Sequence, residues 1–203
     1  MSSENEKKLI SVASNVDTSS YVRIPEYGDT TIALFEPDAF KEKPWYHEER
    51  KLEGAHYALA REGLWMPKPA VFMSHYQRVM AGYRGQNALD FADGSVLDVK
   101  TKERAYRHLT SDFFNGGAWT WLNARFVAGS GFQGLDLEHV VGVYEDGTLK
   151  TEREPLLECV WKNCYVSLEG LNAQGLPTQS SNVQEYISGE NIKFLHPRRD
   201  NVS

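Results

Sequence analysis

The stretch from Trp45 to Tyr83 is the longest strongly patterned segment of the chain, and it most constrains what the chain can fold into. Its first half, His47 to Glu62, is predicted to be a helix whose apolar face carries Leu52, Ala55 and Leu59. Gly63 follows where a helix commonly ends in a left-handed residue. Pro67 then prevents the helix from resuming. The pattern therefore predicts a helix that stops at a sharp corner.

A second helix is predicted to begin at Pro69, because proline suits the first turn of a helix. Its apolar residues recur at helical spacing and are Phe72, Tyr76, Val79, Met80 and Tyr83. Gly82 and Gly85 are expected to end it. Two amphipathic helices joined by the apolar corner GLWMP (residues 63–67) predict a core on which the other elements pack.

Length and composition favour one folded domain. The chain has 203 residues, of which 41% are hydrophobic and 12% aromatic, so it can bury a sizeable core. Residues 1–19 are polar and rich in serine, and we expect them to form a flexible tail before a single domain at 20–203. Proteins that bind nucleic acid present a basic face, so the formal net charge of −6 argues against a nucleic-acid partner.

Signals for export or membrane insertion are not recognisable in the sequence. No apolar run approaches the roughly 18 residues that a membrane-spanning helix needs. The first residues, MSSENEKKLISVASN, contain no apolar segment of a signal peptide. We therefore expect no membrane span and a cytoplasmic location by default, with surface display left open.

The remaining segments alternate between short strands and helices, which predicts an α+β fold. Asp93-Gly94 and Glu145-Asp146-Gly147 are predicted hairpin turns, because a tight turn needs a positive φ at glycine. Thr101 is the expected N-cap of a helix at 101–114. The predicted strands are 21–24, 30–35, 139–144, 148–153 and 191–195.

Three further segments are harder to assign. Residues 118–126 (AWTWLNARF) fit both an alternating strand and a helix, and a helix is favoured because leucine, asparagine, alanine and arginine follow the tryptophans. Short helical segments are also expected at 156–161 and 167–175. The tryptophans are expected mainly in the core, with one or two lining a binding face as the alternative.

The search for a metal site fails on spacing. His47, Glu48 and Glu49 form the best acid/base cluster, but they lack the H-E-x-x-H pattern, and adjacent helical residues diverge by about 100°. Cys159 and Cys164 have C-x4-C spacing without the second pair of a zinc site. The favoured interpretation is two small buried hydrophobic residues, with a local disulfide as the alternative.

Motifs for catalysis are also incomplete. The Gly-Ser-Gly at 129–131 lacks the strand and helix of a dinucleotide site and the spacing of a G-x-S-x-G nucleophile. Asp136 and Glu138 are expected in a solvated loop rather than as an acid/base pair. We therefore predict no catalytic residues, no metal site and no cofactor.

Five motifs occur in a recognisable order from Trp45 to Ser203. They are WYHEERKLEGAHYALAREGLWMP, AWTWLNARF, EPLLEC, the stretch from LEG to AQGLP (168–177) and ENIKFLHPRRDNVS. In their order and spacing they resemble the variable proteins of archaeal diversity-generating retroelements, the group found in Nanoarchaeota-related organisms. The resemblance covers nearly all of the predicted folded part.

The resemblance implies a C-type-lectin-like fold of an unusual subclass, with helices packed on a small, loop-rich antiparallel sheet. It implies a non-enzymatic scaffold that displays a hypervariable segment as a ligand-binding surface. The implied ligand is a protein or a cell-surface molecule whose identity is unknown. Variation in such proteins comes from an error-prone reverse transcriptase that acts at adenines of a template repeat.

One departure from the family concerns the ligand-binding residues. In the family, the segment that resembles PRRDNVS continues into the variable region, which ends near a motif resembling S-L-G-V-R. This sequence stops at Ser203 and has no such motif. The ligand-binding residues are therefore unknown and expected mainly after Ser203, and AWTWLNARF transfers as scaffold only.

Two other interpretations stay open beside the display scaffold. One is an enzyme on a related fold, such as the formylglycine-generating group, although the cysteines do not lie near a terminal G-F-R. The other is a viral or surface structural protein without diversification.

Overall fold

A computed structural model describes residues 7–11, 16–35, 51–86, 89–111, 122–182, 184–187 and 190–194. Within these ranges three helices and seven strands form an α+β fold, which confirms the predicted class. The helices are α1 (Leu52–Arg61), α2 (Pro69–Tyr83) and α3 (Val99–Ser111). The strands are β1 (Tyr21–Arg23), β2 (Thr31–Ala33), β3 (Arg125–Ala128), β4 (Leu135–Val143), β5 (Leu149–Pro155), β6 (Cys164–Ser167) and β7 (Asn191–Phe194).

The corner between α1 and α2 is formed as predicted. The Gly63 N–H donates to the Ala60 carbonyl oxygen at 3.1 Å, and the Leu64 N–H donates to that of Leu59 at 2.9 Å. This pair of bonds satisfies carbonyl groups at the helix end and uses the φ of 74° at Gly63. Leu64 is thereby returned to the apolar cluster that contains Leu59 and Met66.

Three details of the helix pair differ from prediction or lie outside the description. The predicted start at His47 lies outside the described residues. Trp65 is 37% exposed, so the core prediction for the tryptophans is wrong at this position, and the neighbouring Met66 is the buried corner residue instead. Gly82 lies within α2, where Leu89 packs 3.1 Å from the place that a β-carbon would take; α2 ends at Tyr83, and Gly85 follows it with a φ of 79°.

The main core lies between α2, α3 and the antiparallel pair β1–β2. It contains Val22, Ile24, Leu34, Phe72, Met73, Tyr76, Val79, Met80, Leu89, Leu97, Ala105, Leu109 and Leu168. The prediction of two short strands around the PEYGD turn is confirmed, with Val22 opposite Ile32. α3 begins two residues before the predicted cap, because the Thr101 N–H donates to Asp98 Oδ1 at 3.0 Å. Asp98 is therefore the residue that caps α3.

The Asp93-Gly94 turn is present, but the hairpin around it is minimal. Gly94 has a φ of 85°, and the Phe91 N–H donates to the Ser95 carbonyl oxygen at 2.9 Å. A single bridge joins Asp90 to Val96, because Phe91 pairs with β1 on its other side. The predicted second strand after the turn is thus reduced to one paired residue.

β3, β4 and β5 form an antiparallel sheet in that order. The hairpin predicted at 139–153 is confirmed, and its strands extend to Leu135 and Pro155. At its turn Gly147 has a φ of 83°, and the Thr148 N–H donates to Asp146 Oδ1 at 2.9 Å. The ladder is interrupted by an irregularity between Val140 and Gly142.

The helix favoured at 118–126 is wrong for residues 122–126, and residues 118–121 lie outside the described part. Residues 122–124 are not helical, and Arg125 and Phe126 begin β3, opposite Glu138 and Leu137. Helix propensity is a weak preference that tertiary pairing overrides. Here the backbone groups of Arg125 and Phe126 are paired with β4, so the alternating interpretation is the correct one for these two residues.

Residues 7–11 cover the end of β4 that extends beyond β3. The Ile10 N–H donates to the Val143 carbonyl oxygen at 2.8 Å, and the Glu145 N–H donates to that of Lys8 at 2.9 Å. Lys7 also forms an ion pair with Asp146 at 2.9 Å. The predicted flexible tail at 1–19 is therefore corrected for residues 7–11, which pair because an uncovered strand edge presents free backbone groups.

The two short helices predicted after β5 are wrong. Residues 156–161 form neither a helix nor a strand; the Leu156 N–H donates to the Leu135 carbonyl oxygen at 3.1 Å and the Val160 N–H donates to that of Pro177 at 2.7 Å. Residues 167–175 form the end of β6 and a turn with φ of 77° at Gly175. Their backbone groups are bonded to other segments, which a local helix would prevent. β7 confirms the predicted last strand and pairs with β6.

Candidate functional site

A row of charged side chains crosses the face of the sheet that α1 covers. Arg125 on β3, Glu138 on β4 and Arg153 on β5 are direct cross-strand neighbours. Arg125 Nε donates to Glu138 Oε2 at 2.5 Å, and Arg153 Nε donates to Oε1 at 2.8 Å. The Glu138 side chain is 2% exposed, and a carboxylate this buried needs such compensation.

The row fixes the charge state of Glu138 and reaches toward α1. Burial alone would raise the pKa of the Glu138 carboxyl, but hydrogen bonds from Arg153 and Arg125 outweigh it and lower the pKa below its usual value. Arg125 Nη1 also lies 3.7 Å from Glu53 Oε1 on α1. Because both of these side chains are substantially exposed, this last ion pair contributes little.

Asn123 is the residue that joins the sheet to the corner between α1 and α2. Its side-chain amide donates to the Val140 carbonyl oxygen at 2.8 Å and accepts from the Val140 N–H at 2.7 Å. Its backbone N–H donates to the Pro67 carbonyl oxygen at 2.9 Å. Asn123 is buried, so these bonds satisfy groups on β4 just where pairing with β3 ends.

His139 lies on the opposite face of β4 and holds Asn123 from the other side. Its Nδ1 is 2.6 Å from the Asn123 carbonyl oxygen, and its Nε2 is 2.6 Å from Glu154 Oε1. A carbonyl oxygen can only accept, so Nδ1 carries a proton and donates it to Asn123. Both ring nitrogens of His139 are therefore committed to structural bonds.

Three more amide side chains hold the loops after β5. Gln174 accepts from the Leu157 N–H and donates to the Pro155 carbonyl oxygen, both at 2.9 Å. Asn172 accepts from the Leu176 N–H at 3.1 Å and donates to the Glu158 backbone carbonyl oxygen at 3.0 Å. The Asn191 side chain on β7 accepts from the Ile187 N–H at 2.9 Å and donates to the Glu185 backbone carbonyl oxygen at 3.0 Å. We call Asn123, Asn172, Gln174 and Asn191 the amide clamps.

The Gly-Ser-Gly segment at 129–131 binds a carboxylate of its own chain. The N–H groups of Ser130 and Gly131 donate to Asp136 Oδ1 at 2.9 and 3.1 Å. A β-carbon on Gly131 would lie 2.1 Å from the Leu156 nitrogen. The glycines therefore serve close backbone packing around Asp136.

His56 on α1 is the polar residue of this region that the network does not satisfy. It is 1% exposed, and neither of its ring nitrogens has a hydrogen-bond partner among the described residues. It lies beside Asn123, Arg125 and Glu138. Burial lowers the pKa of His56 from 6.5 to about 4, although the nearby Glu53 acts in the opposite direction.

The site residues singled out in the sequence have different fates. His47, Glu48 and Glu49 lie outside the described residues. The solvated loop expected for Asp136 and Glu138 is wrong, because both residues belong to β4 and their carboxylates are bonded. The run LDLE at 135–138 alternates between apolar and acidic residues, and this period of two is the local signal that could have placed both carboxylates on a strand.

The cysteine thiols are free in the structure. Cys159 is buried, as the favoured interpretation expects, whereas Cys164 on β6 is half-buried. Burial raises the pKa of the Cys159 thiol, with a smaller contribution from Glu158, so this thiol is a poor nucleophile. The amide clamps were not identified in the sequence, since nothing local distinguishes a buried asparagine from one in a solvated turn.

The described residues offer little for metal binding or membrane insertion. Among them, no three His, Cys, Asp or Glu side chains converge in a way that could hold a metal ion. No helix in the same ranges combines the length and the apolar character that crossing a bilayer requires. Comparisons of the chain with protein-family models, with curated proteins and with solved structures found no match.

Proposed function

We propose that this protein is a non-enzymatic scaffold of C-type-lectin-like fold that carries a hypervariable ligand-binding segment diversified by a retroelement. The observation that supports it best is the use of polar side chains as loop clamps. Four amides each bond to the backbone of neighbouring segments, so irregular loops are held without regular secondary structure. A display protein needs this property, because its loops must keep their shape while displayed residues change.

The clamps fall within the sequence motifs that carry the family resemblance. Asn123 belongs to AWTWLNARF, Asn172 and Gln174 to the 168–177 stretch, and Asn191 to ENIKFLHPRRDNVS. Leu156 and Cys159 of EPLLEC are buried in the cluster that packs under the sheet. Three of the five motifs thus share one task, the fixing of chain segments: Asn123, Asn172 and Gln174 act around β4 and β5, and Asn191 acts beside β7.

The arrangement of elements also agrees with this proposal. α1 packs on a small antiparallel sheet, and within the described residues after β5 the strands β6 and β7 are joined by long connections without a helix. The charged residues of the sheet face, Arg125, Glu138 and Arg153, are bonded to one another. We expect the ligand, a protein or a cell-surface molecule, to contact mainly residues that follow Ser203.

Genomic sequencing beyond codon 203 tests the proposal. We expect the reading frame to continue into a variable segment, followed by a near-identical repeat that differs at adenine positions and by a reverse transcriptase gene. A neighbourhood without a repeat and without a reverse transcriptase gene would contradict the proposal and favour a structural protein without diversification.

A further inference from the structure

His56 occupies an unusual place for an ionisable side chain. It lies between α1 and the sheet and is 1% exposed. Neither ring nitrogen has a hydrogen-bond partner in the part of the chain that the structure describes. A buried polar group without a partner is rare in folded proteins and is costly. The ring lines a small cavity together with the apolar side chains of Leu52, Val140 and Leu149, an environment that suits the neutral imidazole.

The groups that face His56 do not favour a second proton on its ring. From β3 it meets Arg125, a cation, and from β4 it meets Glu138, whose carboxylate oxygens already accept from Arg125 and Arg153. β5 presents Leu149 and Thr151. On α1 itself Glu53 would attract an imidazolium, but its side chain is 61% exposed and its charge is screened by water.

We propose that His56 is an acid-operated latch, so that a proton taken up by its imidazole releases α1 from the β3–β4–β5 sheet. An imidazolium needs two hydrogen-bond acceptors or water, and among the described residues neither ring nitrogen has an acceptor while α1 is docked. Movement of α1 away from the sheet exposes the ring to solvent and removes the penalty. Acid therefore favours the undocked helix by mass action of protons.

The free-energy cost of a buried imidazolium at position 56 is sufficient to undock α1. Its apolar residues belong to two small clusters, one with Leu64 and Met66 of its own corner and one with Val140 and Val143, rather than to the main core. Segments with few buried apolar contacts open at lower free energy than the whole fold. The corner at Gly63 provides the pivot.

The size of the effect follows from proton linkage. With a pKa of about 4 when docked and 6.5 when undocked, lowering the pH from 7.5 to 5.0 multiplies the undocked population about 30-fold. Hydrogen exchange read by mass spectrometry measures this population, once rates are corrected for the pH dependence of the chemistry. We expect protection of residues 52–61 to fall about 30-fold and to stay below that of residues 72–80 in α2 at every pH, because exchange in α2 needs a larger opening than undocking of α1.

Two variants separate the latch from general acid sensitivity. In His56→Leu the acid response of residues 52–61 should nearly disappear. In the matched control His75→Leu, which removes the buried histidine of α2, that response should persist. The latch is refuted if His56→Leu responds as the wild type does, or if residues 52–61 are protected as strongly as residues 72–80 at every pH, because α1 would then open only with the whole fold.

The wild-type protein provides a test that does not depend on any variant folding. In an NMR titration, the His56 ring signals and the amide signals of α1 should change together with one midpoint. A His56 ring that titrates while the α1 amides stay unchanged would overturn the latch.

Discussion

Replacing Asn123 by alanine removes the amide that completes the β4 edge next to β3. The Val140 N–H and carbonyl groups would then be buried without their partners, which stand at 2.7 and 2.8 Å in the native protein. Leaving a buried polar group unsatisfied costs about 1–3 kcal/mol, so two such groups predict a loss of about 2–6 kcal/mol. For a chain of this length that corresponds to a fall in Tm of about 5–20 °C.

The Asn123→Asp variant provides a matched control in the same assay, urea unfolding followed by circular dichroism. Aspartate keeps the shape and the acceptor oxygen but loses the donor to the Val140 carbonyl group. A protonated carboxyl can donate again. The loss in free energy of unfolding of Asn123→Asp relative to wild type should therefore shrink as the pH is lowered. Wild-type stability measured at each pH removes the contribution of the buried histidines.

A small loss in free energy of unfolding for Asn123→Ala would contradict this prediction. A loss below about 0.5 kcal/mol for Asn123→Ala would mean that water or a local shift satisfies Val140, since surface substitutions produce effects of that size. An Asn123→Asp deficit that is independent of pH would show that shape, not the donated hydrogen bond, explains the loss.

Leu59→Asp should undock α1, because it places an unpaired charge in the α1 cluster, so residues 52–61 should lose their protection from hydrogen exchange; unchanged protection there would be the contrary result. Gly131→Ala should destabilise by more than 2 kcal/mol in urea unfolding, about the upper range of overpacking effects, whereas Ser130→Ala should be nearly neutral. The β-carbon of an alanine at position 131 would lie 2.1 Å from the Leu156 nitrogen, which is the reason for the expected loss at that position. His75 is buried, which lowers its pKa to about 4, so the unfolded state binds more protons below pH 6.5. Stability should therefore fall between about pH 6.5 and pH 4, by up to about 3 kcal/mol from this residue, and His75→Leu should flatten that slope.

The sequence predicts those parts of the fold whose signals are local. The corner at Gly63, the Asp146-Gly147 turn and the start of α2 at Pro69 follow from backbone rules that act within a few residues. The apolar faces of α1 and α2 follow from helical spacing in the same way. These features required no knowledge of distant contacts.

Errors occurred where a distant partner decides the structure. Arg125 is in a strand because Glu138 and Arg153 complete a charged row across the sheet. Residues 7–11 pair because β4 extends beyond β3, and residues 156–161 are not helical because their backbone bonds reach Leu135 and Pro177. Long-range pairing of this kind outweighs local propensity.

Sequencing this gene from many cells of one natural population tests the display account most directly. The account predicts that Asn123, Asn172, Gln174 and Asn191 are the same in every copy, while substitutions concentrate in codons that follow Ser203. Substitutions distributed evenly along the chain, clamps included, would contradict it.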